Sequence, residues 1–188
     1  MGVNSFLDLD LSEQRLGAIE ALGWTVPTPI QAEAIPPGLA GTDVVGIAQT
    51  GTGKTGAFMI PALERLRSGG GLQVLALCPT RELAQQVADD TASLAMGTNI
   101  RTAAIFGGVG YGPQIEALES GFEVIVATPG RFIDHAHSKR VDLSNVNCLV
   151  LDEADRMLDM GFRPQIEEVL REMPTKRQTM LFSATMPN

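Results

Sequence analysis

Lysine is scarce in this sequence. Of its 14 basic residues only Lys54, Lys139 and Lys176 are lysines, set against 22 acidic residues and a formal net charge of −8. That acidic excess excludes a generic basic nucleic-acid surface. Any contact with a polyanion has to be local, made by helix ends and a few arginines. Cysteine is nearly absent too: Cys78 and Cys148 lie inside separate apolar runs and read as buried thiols. They exclude a disulfide framework or a cysteine metal site, and they suit a reducing cytosol. No apolar run approaches the roughly 18 residues of a membrane span. The N-terminal stretch, with Asp8, Asp10 and Glu13, lacks the basic-then-apolar pattern of an export signal. A cytoplasmic protein with no membrane partner is therefore expected. There is no internal repeat, and Ser68-Gly69-Gly70-Gly71 reads as a surface turn rather than a linker. What is present, 44% hydrophobic and 19% charged residues over 188 positions, suits one globular domain with a sizeable core.

The apolar runs alternate with helical patterns. Strands are predicted at 44–48, 72–78, 102–106, 124–127, 148–151 and 179–182. Helices are predicted at 12–22, 29–38, 56–67, 81–95, 111–119, 129–137 and 163–173. In the last, Ile166, Val169, Leu170 and Met173 follow the i, i+3, i+4, i+7 spacing of one buried face. Continuously apolar strands alternating with helices predict an α/β fold, a mostly parallel sheet with helices on both faces. Such folds place their chemistry at the carboxyl ends of the strands.

One stretch organises the chain: Ala48-Gln49-Thr50-Gly51-Thr52-Gly53-Lys54-Thr55, between the strand 44–48 and the helix from 56. Glycines let the backbone curl so that successive N–H groups point at one anion, and the helix N-terminus adds positive potential. In a phosphate-binding loop of this kind Lys54 reaches the β- and γ-phosphates and the Thr55 hydroxyl ligates Mg²⁺. The bland alternative is a glycine-rich turn with a surface lysine. A second acidic element, Asp152-Glu153-Ala154-Asp155, follows the apolar run 148–151 directly. A carboxylate at the tip of a buried strand complements a phosphate loop. Asp152 is expected to hold Mg²⁺ through water, and Glu153 to orient the attacking water. Alternatively Asp152 caps the next helix and the remaining acids form a solvated face.

Asp-Glu-Ala-Asp and six further stretches in matching order resemble the first RecA-like domain of DEAD-box RNA helicases from end to end. The phosphate loop has the family's form, including Ala48. Gly23 to Gln31 resembles the Q motif, and Phe6 lies 17 residues before Gly23, where the family places an isolated aromatic. Pro79-Thr80-Arg81, Gly107-Gly108 and Thr128-Pro129-Gly130-Arg131 resemble its RNA-contact motifs. Ser183-Ala184-Thr185 resembles its coupling motif.

The resemblance implies specific roles. Gln31 pairs with the adenine N6 and N7 edge, Phe6 stacks on the base and Thr28 supports the loop, so the nucleotide is Mg·ATP. Gln49, Thr50, Gly51, Thr52, Gly53, Lys54 and Thr55 form the loop itself. Pro79, Thr80, Arg81, Gly107, Gly108, Thr128, Pro129, Gly130 and Arg131 meet the RNA backbone, independently of base sequence. Asp155, Ser183 and Thr185 couple nucleotide state to a neighbouring domain, through hydroxyls bonded to the Asp155 carboxylate. Plainer readings stand beside these: core packing for Phe6, a helix-surface amide for Gln31, ordinary N-caps for Thr80 and Thr128, and a small polar turn at Ser183 to Thr185. His135 and His137, two apart on one helix, read as surface residues. Met157, Leu158, Met160 and Phe162 read as core and loop packing.

The expected unit is one RecA-like P-loop NTPase domain over 1–188, with a Q-motif region at 1–40 and the loop-bearing core at 41–188. The second RecA-like domain, with its arginine fingers, is expected beyond Asn188. Loss of a transition-state arginine costs roughly 10³–10⁵ in rate. The 188 residues alone are therefore expected to bind nucleotide weakly, hydrolyse it barely and unwind nothing. Two other readings remain: a stand-alone nucleotide- or RNA-binding module, and a P-loop ATPase acting on DNA.

Overall fold

The structure is a computed structural model that describes residues 2–186; the outermost positions of the predicted 1–188 unit lie outside them. After a 3-10 turn at Phe6–Asp8 come α1 (Glu13–Ala21), α2 (Pro29–Leu39) and β1 (Val44–Ile47). Then follow α3 (Lys54–Glu64), β2 (Val74–Leu77), α4 (Arg81–Leu94), β3 (Thr102–Ile105) and α5 (Tyr111–Ser120). The chain continues through β4 (Val124–Ala127), α6 (Pro129–His137), β5 (Cys148–Leu151), α7 (Ala154–Asp159), α8 (Arg163–Glu172) and β6 (Gln178–Ser183).

Every strand pair is parallel and the order is β1-β6-β5-β2-β4-β3. Successive strand side chains point to opposite faces, and the core divides accordingly. Val74, Ala76, Val124, Val126 and Val150 face the layer built by α3 and α4. Leu75, Leu77, Ile125, Leu149 and Leu151 face Phe132, Met157, Ile166 and Val169 on the other side. Strands β2, β4 and β5 are buried at every position. The edge strand β1 departs from the expected two-sided cover: Val44 and Gly46 point inward, while Val45 and Ile47 are exposed. Both cysteines are buried free thiols, as expected, and burial pushes the Cys148 thiol up to about 12.

Two local differences have physical causes. Helix α3 opens at Lys54 rather than Gly56, because Gly53 sits in the left-handed region at φ 83° and turns the chain straight into it. Helix α7 overlaps the stretch read as core and loop packing. Six residues are too few to show a period, yet Met157 is fully buried.

Helix α1 is tied to the end of α3. Ser12 Oγ accepts from the Arg15 N–H at 3.2 Å and donates to Glu64 Oε1 at 2.9 Å. Arg15, only 2% exposed, meets the same oxygen through Nε at 3.1 Å. Ser12→Ala removes both the cap and that donor. Urea denaturation is expected to show a loss of about 0.5–2 kcal/mol, with the denaturant slope unchanged.

Candidate nucleotide site and adjoining loops

The sheet order sorts the six carboxyl ends into two neighbouring groups. Adjacent strands β1, β6 and β5 lead into the glycine-rich loop, Ser183-Ala184-Thr185 and Asp152-Glu153. Adjacent strands β2, β4 and β3 lead into Thr80-Arg81, Thr128 to Arg131 and Gly107-Gly108.

In the first group the loop turns on Gly51 and Gly53, both at positive φ, and Thr52 Oγ1 donates to the Gln49 carbonyl at 2.6 Å. The Ala48 N–H donates to the Ser183 carbonyl at 3.0 Å, joining the loop to β6. Lys54 and Asp152 are 7% and 1% exposed, and Lys54 Nζ lies 3.3 Å from Asp152 Oδ1. Burial pushes the Asp152 carboxyl above the usual carboxylate range, against the pull of Lys54. Glu153 holds a left-handed backbone at φ 51°, a conformation that costs a non-glycine residue free energy. Its N–H donates to Asp152 Oδ1 at 2.9 Å, and its carboxylate accepts from Thr50 Oγ1 at 3.5 Å and Arg156 Nη1 at 3.3 Å. These groups line a cleft of about 170 Å³ shared with Gly51, Thr55 and Trp24.

No cluster of three or more metal-ligating side chains occurs among the described residues. One hydroxyl, Thr55, and one carboxylate, Asp152, offer hard oxygen donors. Such a sparse set fits Mg²⁺, which keeps waters and takes its remaining ligands from phosphate.

The Gly23 to Gln31 stretch packs on the loop from behind. Gln31, 2% exposed, is not a surface amide: Nε2 donates to the Gly53 carbonyl at 3.1 Å and Oε1 accepts from the Thr28 N–H at 3.0 Å. In this state the amide faces the loop, not an open base site. A Cβ at Gly53 would sit 2.7 Å from Gln31 Nε2 and 2.9 Å from Thr28 Oγ1, so glycine is required there by contact as well as by φ. Phe6 is buried in the core, as its plainer reading has it, but it also lines an apolar pocket of about 530 Å³ with Leu16, Trp24 and Thr25. Trp24 touches both cavities, and Gln86 and Asp90 of α4 line the first. Sequence reasoning missed these three. For Trp24 the signal was a lone tryptophan directly after Gly23; for the α4 pair there was none.

Ser183 and Thr185 both lie beside Asp155. Thr185 donates to Asp155 Oδ2 through Oγ1 at 2.9 Å and through its N–H at 3.2 Å. Ser183 Oγ accepts from the Asp155 N–H at 3.3 Å and donates to the Thr185 carbonyl at 2.6 Å. Burial would raise the Asp155 carboxyl, but the Thr185 hydroxyl, the Arg156 N–H, the Ser183 hydroxyl and the Thr185 N–H hold it below the usual range.

In the second group, Thr80 caps α4 by accepting from the Leu83 N–H at 3.3 Å, and Thr128 precedes α6 without a side-chain cap bond. Pro79 and Pro129 are buried, Gly130 has open space beside it, and Arg81 is exposed, with one guanidinium nitrogen beside Gly108. Gly108 is at φ 82°. Arg131 is already occupied: it donates to the Val109 carbonyl at 2.9 Å and to Gln114 Oε1 at 3.2 Å, and lies 3.9 Å from the Tyr111 ring centroid. The histidines correct a further expectation. His137 is half exposed beside Glu168, but His135 is fully buried, because the amphipathic α6 turns it toward α5.

Comparison with known proteins follows the same lines. The family model described as DEAD/DEAH box helicase matches residues 28–188. The chain is 47% identical to the DEAD-box ATP-dependent RNA helicase 30 of Arabidopsis thaliana, with 97% of this chain and 32% of that protein covered. Its fold matches the crystal structure of a DEAD box protein from the hyperthermophile Methanococcus jannaschii with a TM-score of 0.95 at 42% identity, covering 100% of this chain and 52% of the other. The chain thus spans about a third of the one relative and half of the other. On sequence and on fold together, the chain belongs to the DEAD/DEAH box helicase family.

Proposed function

We propose that this chain is the Mg·ATP-binding and RNA-binding RecA-like domain of an ATP-dependent RNA helicase, working with a second RecA-like domain C-terminal to it. The observation that carries the reading is the convergence of Lys54, Thr55, Asp152 and Glu153 on one cleft, beyond the carboxyl ends of β1 and β5, which flank β6 in the sheet. Lys54 and Asp152 neutralise each other in the ligand-free domain. When a polyphosphate enters, the Lys54 ammonium turns to a phosphate oxygen, and Asp152 with Thr55 accepts the cation. One charge partner replaces another, so no buried charge is left bare. The cation, once bound, neutralises charge on the transferring phosphoryl group. Glu153 lies at the cleft wall to orient the attacking water. On nucleotide binding the Gln31 amide turns from the loop to the adenine N6 and N7 edge, its oxygen accepting and its NH2 donating, and Phe6 with Trp24 offers the apolar wall for the base.

Thr80, Arg81, Gly107, Gly108 and the Thr128 to Arg131 turn form a neighbouring surface of free helix-end N–H groups and close-approach glycines, suited to a phosphodiester backbone. Such contacts read no base edge; discrimination of RNA from DNA falls to 2′-hydroxyls. Asp155 and Thr185 lie between the two surfaces and carry the nucleotide state toward the second domain.

The test is equilibrium binding and ATPase stimulation. The protein should prefer ATP to GTP, require Mg²⁺, and, in the longer protein, respond to RNA and not to DNA of the same sequence. Equal stimulation by DNA overturns the RNA assignment. Arg81→Ala is expected to weaken unrelated RNA sequences by the same factor and to lower the salt dependence of binding by about 0.7–0.9 in log–log slope, one phosphate contact's worth. A loss confined to one sequence would contradict it.

A further inference from the structure

His135 is the fully buried histidine of α6, and its partner is unambiguous. Gln114 of α5 donates through Nε2 to the Phe106 carbonyl at 2.8 Å. A carbonyl can only accept, so the amide cannot be flipped and Gln114 Oε1 faces the other way. That oxygen lies 3.1 Å from His135 Nε2 and 3.2 Å from Arg131 Nη1. An oxygen acceptor requires the proton on Nε2. Neutral His135 is therefore the ε tautomer, and its Nδ1 is buried with no hydrogen-bond partner. The Tyr111 ring stands tilted against the imidazole at 5.5 Å and donates its hydroxyl to Asp134 Oδ2 at 2.8 Å. Arg131, held by Gln114 and over Tyr111, donates to the Val109 carbonyl, next in the chain after Gly108.

We infer that His135 is a positioning residue for the Gly107-Gly108 loop: as the neutral ε tautomer it orders Gln114, Gln114 holds Arg131, and Arg131 pins the loop at Val109. The functional weight of this chain of contacts rests on the proposed RNA surface; the contacts themselves do not. A second proton on the ring has nowhere to go, since an Nδ1–H finds no acceptor. The charged and titratable groups around the ring are Arg131, Asp134 and Tyr111, with Arg140 in the following turn; Glu168 of α8 is taken by His137. Burial first, then Arg140 and Arg131, hold His135 below the ordinary histidine range, with Asp134 opposing. The sign follows. The unfolded chain takes up a proton near pH ~6.5 and the folded domain only at lower pH. Stability is complete above the unfolded value and declines as pH falls below it, and the loop loses its order only as pH falls further, through the lower folded value.

The test uses the 188-residue chain and two variants, with a short single-stranded RNA as probe. His135→Gln keeps an N–H donor but does not titrate; His135→Phe keeps the ring volume without the donor. Long-range ¹H–¹⁵N correlation of the imidazole should show the ε tautomer at neutral pH. The Gly107, Gly108 and Val109 amide resonances should move with the ring as the pH is lowered. His135→Phe should displace those resonances and weaken RNA about fivefold, one hydrogen bond's worth, with ATP affinity unchanged. His135→Gln should restore the resonances and flatten the acid decline in RNA binding. A δ tautomer, or a Phe variant with wild-type loop resonances, overturns the inference. If the wild-type chain binds no RNA at any pH, the proposed RNA surface is wrong, while tautomer and loop resonances still decide the positioning role. If the Phe variant does not fold, the Gln variant and the wild-type titration decide it.

Discussion

Glu153→Gln is expected to leave Mg·ATP affinity within a small factor of wild type while lowering turnover in the longer protein by about 10²–10⁴-fold, the range ascribed to a positioned acid–base group. The substitution is nearly isosteric. The single amide oxygen can still accept from Arg156, the amide NH2 can donate to the Thr50 hydroxyl in place of accepting from it, the left-handed backbone is unchanged, and Asp152 still accepts the residue's own N–H. What disappears is the negative charge proposed to orient and polarise water at the cleft. Because Lys54, Thr55 and Asp152 are untouched, binding and chemistry separate cleanly. Turnover equal to wild type would remove Glu153 from its role; lost ATP binding would make it a structural residue of the cleft instead.

Phe182→Ala carries the largest stability effect. The ring is fully buried, 5.3 Å from the Phe58 ring centroid, and lies across the sheet from Gly46. Truncation of a buried Phe costs about 3–5 kcal/mol. For a domain of this size, that corresponds to a Tm lower by roughly 6–20 °C. Gly46→Ala errs in the opposite direction, since its Cβ would lie 2.4 Å from the Phe182 ring in a parallel ladder that cannot shift alone. The two substitutions should not add: the methyl group at position 46 finds room once the ring is gone. A thermal-melt double-mutant cycle reads this directly, and strict additivity would mean that the ring does not set the spacing of β1 against β6.

The alternation of apolar runs made the α/β class legible, and 124–127, 129–137 and 148–151 were readable to the residue because each is bounded by a Pro, Gly or charge. Lys54 and Asp152 stood out because each follows a strand at its carboxyl end, Asp152 directly and Lys54 after the glycine-rich loop, and the structure brings them within 3.3 Å. Other features depend on partners far away in sequence. His135 reads as a surface residue until Gln114, 21 positions earlier, is brought beside it. Gln31 gives no hint that its amide is committed to Gly53, and Ser183 none that its hydroxyl also meets the Thr185 carbonyl. The edge position of β1, which leaves Val45 and Ile47 uncovered, is a property of strand order alone.

That order has a further consequence for how the molecule is made. Strand β1 finds its ladder partner only in β6, with Val44 paired to Met180, so the first of the six described strands waits for the sixth. Until synthesis has passed Ser183, the glycine-rich loop has no β6 to rest on and the Ala48 N–H has no Ser183 carbonyl to meet. Closing so long a loop is entropically slow. The nascent chain can therefore build the β2, β4 and β3 half beforehand, while the glycine-rich loop gains its support only when β6 has joined the sheet.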